Sequence, residues 1–245
     1  MAGYVLSAIL SLVLSGLLIA CIAVFLCYRI DRRGFTSLGL NIASPGYVVA
    51  WSFAGVIAAS PLLLSIVFNA SVEPRAVARG AAVLLPASFV QAASEEIVFR
   101  GIVLASLAAR YGVRVGMLGS ALLFGAWHLQ IGQSPVDAIV AFGSTFVFGI
   151  TAAIATLHYA NLGPAIALHA IWNLAIYLHG GSSGGEDFFA AWLSAFYHQW
   201  TWTQLINGEL GRYLLLPLFI ESLLVFAACR DTVLNILGLR VPDPL

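Results

Sequence analysis

The sequence predicts an all-α protein, a polytopic transmembrane helical bundle of about seven spans forming one integral membrane domain over residues 1–245. Three observations carry this. Of the 245 residues, 61% are hydrophobic and only 9% are charged, against about 45–50% and 25% in soluble domains. The mean hydropathy is +0.96. The apolar residues also fall in runs of about 20, the length that crosses a bilayer core, and charge collects between the runs.

Taken in order, the runs are 4–28, 46–70, 81–109, 115–130, 136–158, 162–179 and 212–229. The first reads as a retained span. No basic residue precedes it, and it continues past Cys21 to Phe25, whereas a removed leader has a basic start and stops near its cleavage point. It ends at "RIDRRGF" (29–35), the second at "VEPRAVARG" (72–80) and the third at "RYGVR" (110–114). The fourth is short and needs little tilt. "GGSSGGED" (180–187) has the composition of a flexible loop. The stretch 188–205 mixes Trp192, Trp200 and Trp202 with polar groups, which suits a segment lying at the membrane interface, with an eighth span as the alternative.

Arginine placement gives the orientation. There are 11 arginines and no lysine, a bias that fits a GC-rich bacterial genome. Arg29, Arg32, Arg33, Arg110, Arg114, Arg230 and Arg240 fall on one side, and Arg75, Arg79 and Arg212 on the other. This asymmetry places the N-terminus outside a multi-pass cell membrane, here a bacterial inner membrane. The formal net charge is zero, so no basic patch points to nucleic acid. Cys21, Cys27 and Cys229 form no C-x-x-C pair and read as small hydrophobes.

Against this background, Glu95, Glu96, Arg100, His128 and His169 stand inside spans, with Asn173 as a polar companion. Ionisable groups there are costly and usually functional. Glu96 and Arg100 are four apart in the favourable order and form a local pair on a helix. Glu95 lies about 100° around that helix, so it must find a partner elsewhere or hold a proton, the circumstance of a general base or acid. Phe124 and His128 share one face of the fourth span, and His169 and Asn173 one face of the sixth. Three polar clusters on three helices satisfy one another most cheaply around a shared cavity, where they could bind a metal or activate a water. His158, His179 and His198 sit at span ends or in the interfacial stretch and read as surface residues. Glu221 has no evident local partner and ranks below the others.

Several intramembrane chemistries lack their residues. There is no H-E-x-x-H zinc helix, no G-x-G-D aspartate signature, and neither "FGSTF" nor "LGSAL" supplies a rhomboid-type serine. What does occur, in order on three spans, is E-E-x-x-x-R at 95–100, F-x-x-x-H at 124–128 and H-x-x-x-N at 169–173. This resembles the CPBP family of intramembrane proteases, which includes CAAX prenyl endopeptidases and bacteriocin-processing or Abi members. The resemblance covers a catalytic core of about 81–180.

The resemblance implies an intramembrane endopeptidase acting on a protein or peptide substrate at the membrane. Glu95 would be the general base, assisted by His128. His169 and Asn173 would orient the peptide carbonyl and stabilise the oxyanion. Glu96, counted with the catalytic residues, would tune Glu95 and with Arg100 hold the helix in place, and Arg100 and Phe124 would be structural support. A glutamate mechanism with no metal cofactor is the favoured form. Zinc held by Glu95, His128 and His169 with an open position is its competitor. The other reading is a non-enzymatic transporter or channel using the Glu/His cluster for protons or ions, although no internal repeat of transporter type is visible.

Overall fold

The computed structural model describes residues 88–129, 135–180 and 209–239, together with residues 14, 18, 21, 25, 28, 39, 85 and 86; residues 136–137, 174–180 and 209–217 are described by their backbone alone. All secondary structure among the described residues is helical. The spans expected at 4–28 and 46–70, the interfacial stretch 188–205 and His198 lie outside the described residues, apart from the isolated positions above.

Helix α1 runs over 88–111 and changes character along its length. It is α-helical over 88–96, a π-helix over Ile97–Leu104, and α-helical again over Ala105–Tyr111. Gly112 ends it with φ 90°, and nothing stands within 4 Å of where its Cβ would be. A positive φ of this kind is open to glycine at little cost. The chain then folds straight back as α2, Val113–Trp127. Close packing of the hairpin depends on Gly116, whose Cβ would meet Ala108 N and Leu104 O at 2.8 and 2.9 Å.

Helix α3, Pro135–Tyr159, is opened by a proline, whose fixed φ suits a first turn. Its 25 residues give about 37 Å of helix, and Ala138–Tyr159 is the one described helix long and apolar enough to cross a membrane. Val113–Trp127 and Leu218–Ala228 are shorter apolar helices. The corner after α3 is tight. Ala160 adopts φ 47°, and Asn161 Oδ1 caps the next helix by accepting from Gly163 N at 2.7 Å.

Helix α4, Gly163–Gly180, is buried on all sides through its first half, where Ala165, Ala167, Leu168, Ala170 and Ile171 are enclosed. A helix apolar all round belongs inside a bundle, and α4 is that central element. Helix α5, Glu209–Ala228, turns Leu218, Glu221, Ser222 and Val225 inward, and Ser222 bonds Thr151 of α3 at 2.9 Å. The Thr151 hydroxyl also donates to Val147 O at 3.0 Å, so Ser222 is the donor of the pair. The short α6, Arg230–Leu237, docks on the end of the bundle. The Arg114 guanidinium donates to Ile236 O, and His158 bonds Thr232 at 2.8 Å on the exposed side.

The outward faces of α2 and α5 expose Leu118, Leu122, Leu123, Phe219, Ile220 and Leu223. The bundle thus has apolar residues outside and its charged pair inside, the arrangement a lipid solvent favours. Helices α1 to α5 fall on the last five of the seven expected runs, and among the described residues Ala138–Tyr159 alone has the length and apolarity of a span. The main adjustments are that the fourth ends at Trp127, with His128 as its C-cap, and that α6 was not anticipated. Substituting Gly116 by Val should push the α1–α2 hairpin apart and destabilise the protein by about 1–3 kcal/mol, read as a lower unfolding midpoint in detergent.

Candidate active site

The polar groups singled out in the sequence converge between α1, α2, α3 and α4. Glu96 closes the α-helical part of α1 and opens the π-helix. It is fully buried, and one of its oxygens, Oε1, accepts two bonds. Arg100 Nη1 donates from one turn along at 3.0 Å, and His169 Nδ1 donates from α4 at 2.8 Å. Arg100, itself 1% exposed, sends Nη2 to the carbonyl of Gly149 on α3 at 3.3 Å. Its guanidinium lies 4.4 Å from the centre of the Phe124 ring on α2 and 6.0 Å from that of Phe148 on α3. A guanidinium over aromatic faces in a dry site gains cation–π attraction that an ammonium would achieve less well.

The π-helix is itself tied down. Ser120 of α2 donates to the Phe99 carbonyl at 2.7 Å, deep in the bundle. Irregular helical turns of this kind are frequent at functional sites.

Glu95 has different surroundings. Its Oε1 accepts from the Gln91 side-chain amide, one turn earlier, at 3.3 Å. Its Oε2 is buried, has no hydrogen-bond partner among the described residues, and points between two imidazoles. His128 Nε2 lies 3.9 Å away and His169 Nε2 lies 3.8 Å away.

The tautomers follow from the other ring nitrogens. His128 Nδ1 sits 2.8 Å from the Phe124 carbonyl, which can only accept, so the proton is on Nδ1. His169 Nδ1 faces the Glu96 carboxylate in the same way. In the neutral form, both rings therefore turn bare Nε2 lone pairs toward Glu95. Aromatic packing fixes both rings. Phe124 stacks tilted on His128 at 4.6 Å and edge-on to His169 at 5.6 Å, and Phe148 lies 5.1 Å from His169.

Asn173 follows His169 by one turn and is 9% exposed. Its Nδ2 is buried with no hydrogen-bond partner among the described residues. Glu221 is also buried, on α5, with neither oxygen bonded, and no described contact joins it to the Glu–His cluster.

Glu95, Glu96, Arg100, Phe124, His128 and His169 are thus brought together, with Asn173 beside them. One pairing differs from expectation. Glu96 was read as the local partner of Arg100, and it also binds His169 across the bundle. Gln91 and Phe148 were missed. The first was legible as a polar residue one turn before Glu95, whereas nothing marked the second among 15 phenylalanines.

The donor set of Glu95, His128 and His169 has the chemistry of a zinc site. Its spacing is wide, however. Tetrahedral bonds of about 2.0–2.1 Å put ligand atoms roughly 3.3 Å apart, and no group of three or more such side chains is arranged to hold an ion among the described residues.

Residues 78–175 match the family model described as type II CAAX prenyl endopeptidase Rce1-like. The matched segment contains Glu95, Glu96, Arg100, His128, His169 and Asn173. No curated protein and no solved structure matches the chain.

Removing one partner of a buried ion pair strands the other's charge at a cost of about 3–5 kcal/mol. Arg100→Met should therefore abolish or strongly destabilise the folded protein. The double variant Arg100→Met with Glu96→Gln should recover much of the loss, because no unpaired charge remains. Thermal unfolding in detergent micelles measures both.

Proposed function

On the premise that residues 78–175 place this chain with the CPBP/CAAX proteases, integral membrane enzymes acting on protein substrates at the membrane, we propose that it is an endopeptidase whose nucleophile is a water activated by Glu95. The observation that carries this is the convergence of Glu95 Oε2, which has no hydrogen-bond partner among the described residues, and two imidazole Nε2 atoms within 3.9 Å of it. Three acceptors facing one another call for a group that donates. A water between Glu95 and His128 supplies two O–H bonds and leaves its own lone pair for a carbonyl carbon.

In this reading Glu95 takes the water proton as the oxygen attacks, helped by His128, whose Nδ1–H is already committed to the Phe124 carbonyl. The C–O bond forms and the carbonyl oxygen becomes anionic. Asn173 Nδ2–H, buried and without another acceptor among the described residues, is the donor suited to that oxygen. His169, tied through Nδ1 to Glu96, closes the other side of the water site. Collapse of the intermediate breaks the C–N bond, and the proton held by Glu95 passes to the leaving nitrogen.

Glu96 touches no reacting atom in this scheme. It holds His169 and Arg100 in place and so acts as a positioning residue in this reading. The 3.8–3.9 Å separations around Glu95 favour a water over a directly ligated zinc. Residues Glu95, His128 and His169 would hold the ion in the zinc version, where it would polarise the water.

Loss of a general base costs about 10²–10⁴-fold. Glu95→Gln and His128→Ala should each reduce proteolysis in reconstituted membranes to that extent while leaving the protein folded. Substrates can be found as membrane proteins that accumulate uncut, and are held, on the Glu95→Gln variant. Normal cleavage by both variants would overturn the assignment. Exhaustive chelation should leave activity within about two-fold of the untreated enzyme, and loss restored by added zinc would instead establish the metal form.

A further inference from the structure

We infer that Gln91 is a positioning residue for Glu95, and that its side-chain amide sets the direction in which the catalytic carboxylate points. This deepens the reading above and rests on it. The two adjacent glutamates are distinguished by their donors. Glu96 Oε1 receives a guanidinium and an imidazole, whereas Glu95 Oε1 receives the Gln91 amide at 3.3 Å. Gln91 and Glu95 are one α-turn apart on the regular part of α1, the spacing at which side chains meet on a helix face. The bond engages one carboxylate oxygen. The other is thereby turned toward His128 and His169, where it has no hydrogen-bond partner among the described residues.

The choice of donor is chemically apt. A base must be held still yet keep its affinity for a proton. A cation at that position would pair with the carboxylate and weaken it as a base. A hydrocarbon would leave it free to rotate about its last torsion, which is broad and soft. A neutral amide orients the group without adding a charge. Since angstrom-scale misplacement of a reacting group costs up to about 100-fold, an orienting contact of this kind should appear in kcat rather than in KM.

The test needs no known substrate at its first stage. Infrared difference spectra of wild-type protein against Glu95→Gln, both in lipid vesicles, isolate the Glu95 carboxyl band. Gln91→Leu should shift that band, because it removes the hydrogen bond to Oε1. An unshifted band overturns the inference while leaving the role of Glu95 intact.

At the second stage, on a substrate recovered with the Glu95→Gln variant, Gln91→Leu should lower kcat by on the order of 10- to 100-fold. KM should stay within about two-fold, and the unfolding midpoint should be unchanged. Gln91→His, which keeps a neutral N–H donor at similar reach, should retain clearly more activity than Gln91→Leu. Equal losses in the Leu and His variants, or a loss that follows the unfolding midpoint, would show an ordinary packing role and overturn the proposal. Normal turnover by Glu95→Gln itself would instead sink the underlying assignment.

Discussion

The bundle is organised around one carboxylate. Glu96 accepts from Arg100 on its own helix and from His169 on the central helix, and Arg100 extends the link to the Gly149 carbonyl and the Phe124 ring. Four helices meet at this fully buried pair. Taking two charges out of water costs several kcal/mol per ion, and attraction in the dry interior offsets this only with good geometry and further hydrogen bonds. The further bonds are what is seen. They also make the arrangement stringent, since any displacement of α3 or α4 relative to α1 takes a hydrogen bond from the buried pair. The pair therefore does more to fix how the helices meet than to stabilise the protein.

That rigidity explains how two consecutive glutamates perform different tasks. On a helix they diverge by about 100°, so they meet different neighbours. Glu96 accepts from a guanidinium and an imidazole at one oxygen, its other oxygen having no partner among the described residues, and is spent on architecture. Glu95 has one amide donor and one open oxygen, with two imidazoles just beyond bonding distance. His169 connects the two, with Nδ1 on the structural glutamate and Nε2 toward the reactive one. The support network is thus joined directly to the site it holds.

Much of this was legible in the sequence because charge is so scarce in it. Five ionisable residues inside apolar runs had few partners to choose from, so their convergence could be argued before any coordinates. Helix limits were legible where Gly112, Pro135 and Gly163 mark them. The remainder depends on distance across the bundle. Nothing local shows that His169 Nδ1 finds Glu96 and not Glu95, because 73 residues separate them. The helix α6 escaped notice because its 8 residues are half polar and dock through an arginine 122 positions earlier. Seven spans cannot be counted among the described residues, where a single helix meets the length and composition of one.

Small residues decide whether the network can close. The Cβ that Gly149 lacks would stand 3.0 Å from the Cα and Cβ of Ala121, so α2 and α3 touch backbone to backbone at this level. The carbonyl of that glycine is the one that receives Arg100. A larger residue would separate the helices where the guanidinium needs both a carbonyl from α3 and a ring from α2. In lipid, helices gain little from burying apolar surface against one another, and small residues permit the close approach that makes polar contacts reachable. The glycine and the arginine are therefore two parts of one device: the first brings the backbone within reach, and the second uses it to hold Glu96, His169 and, through them, the place where Glu95 presents its free oxygen.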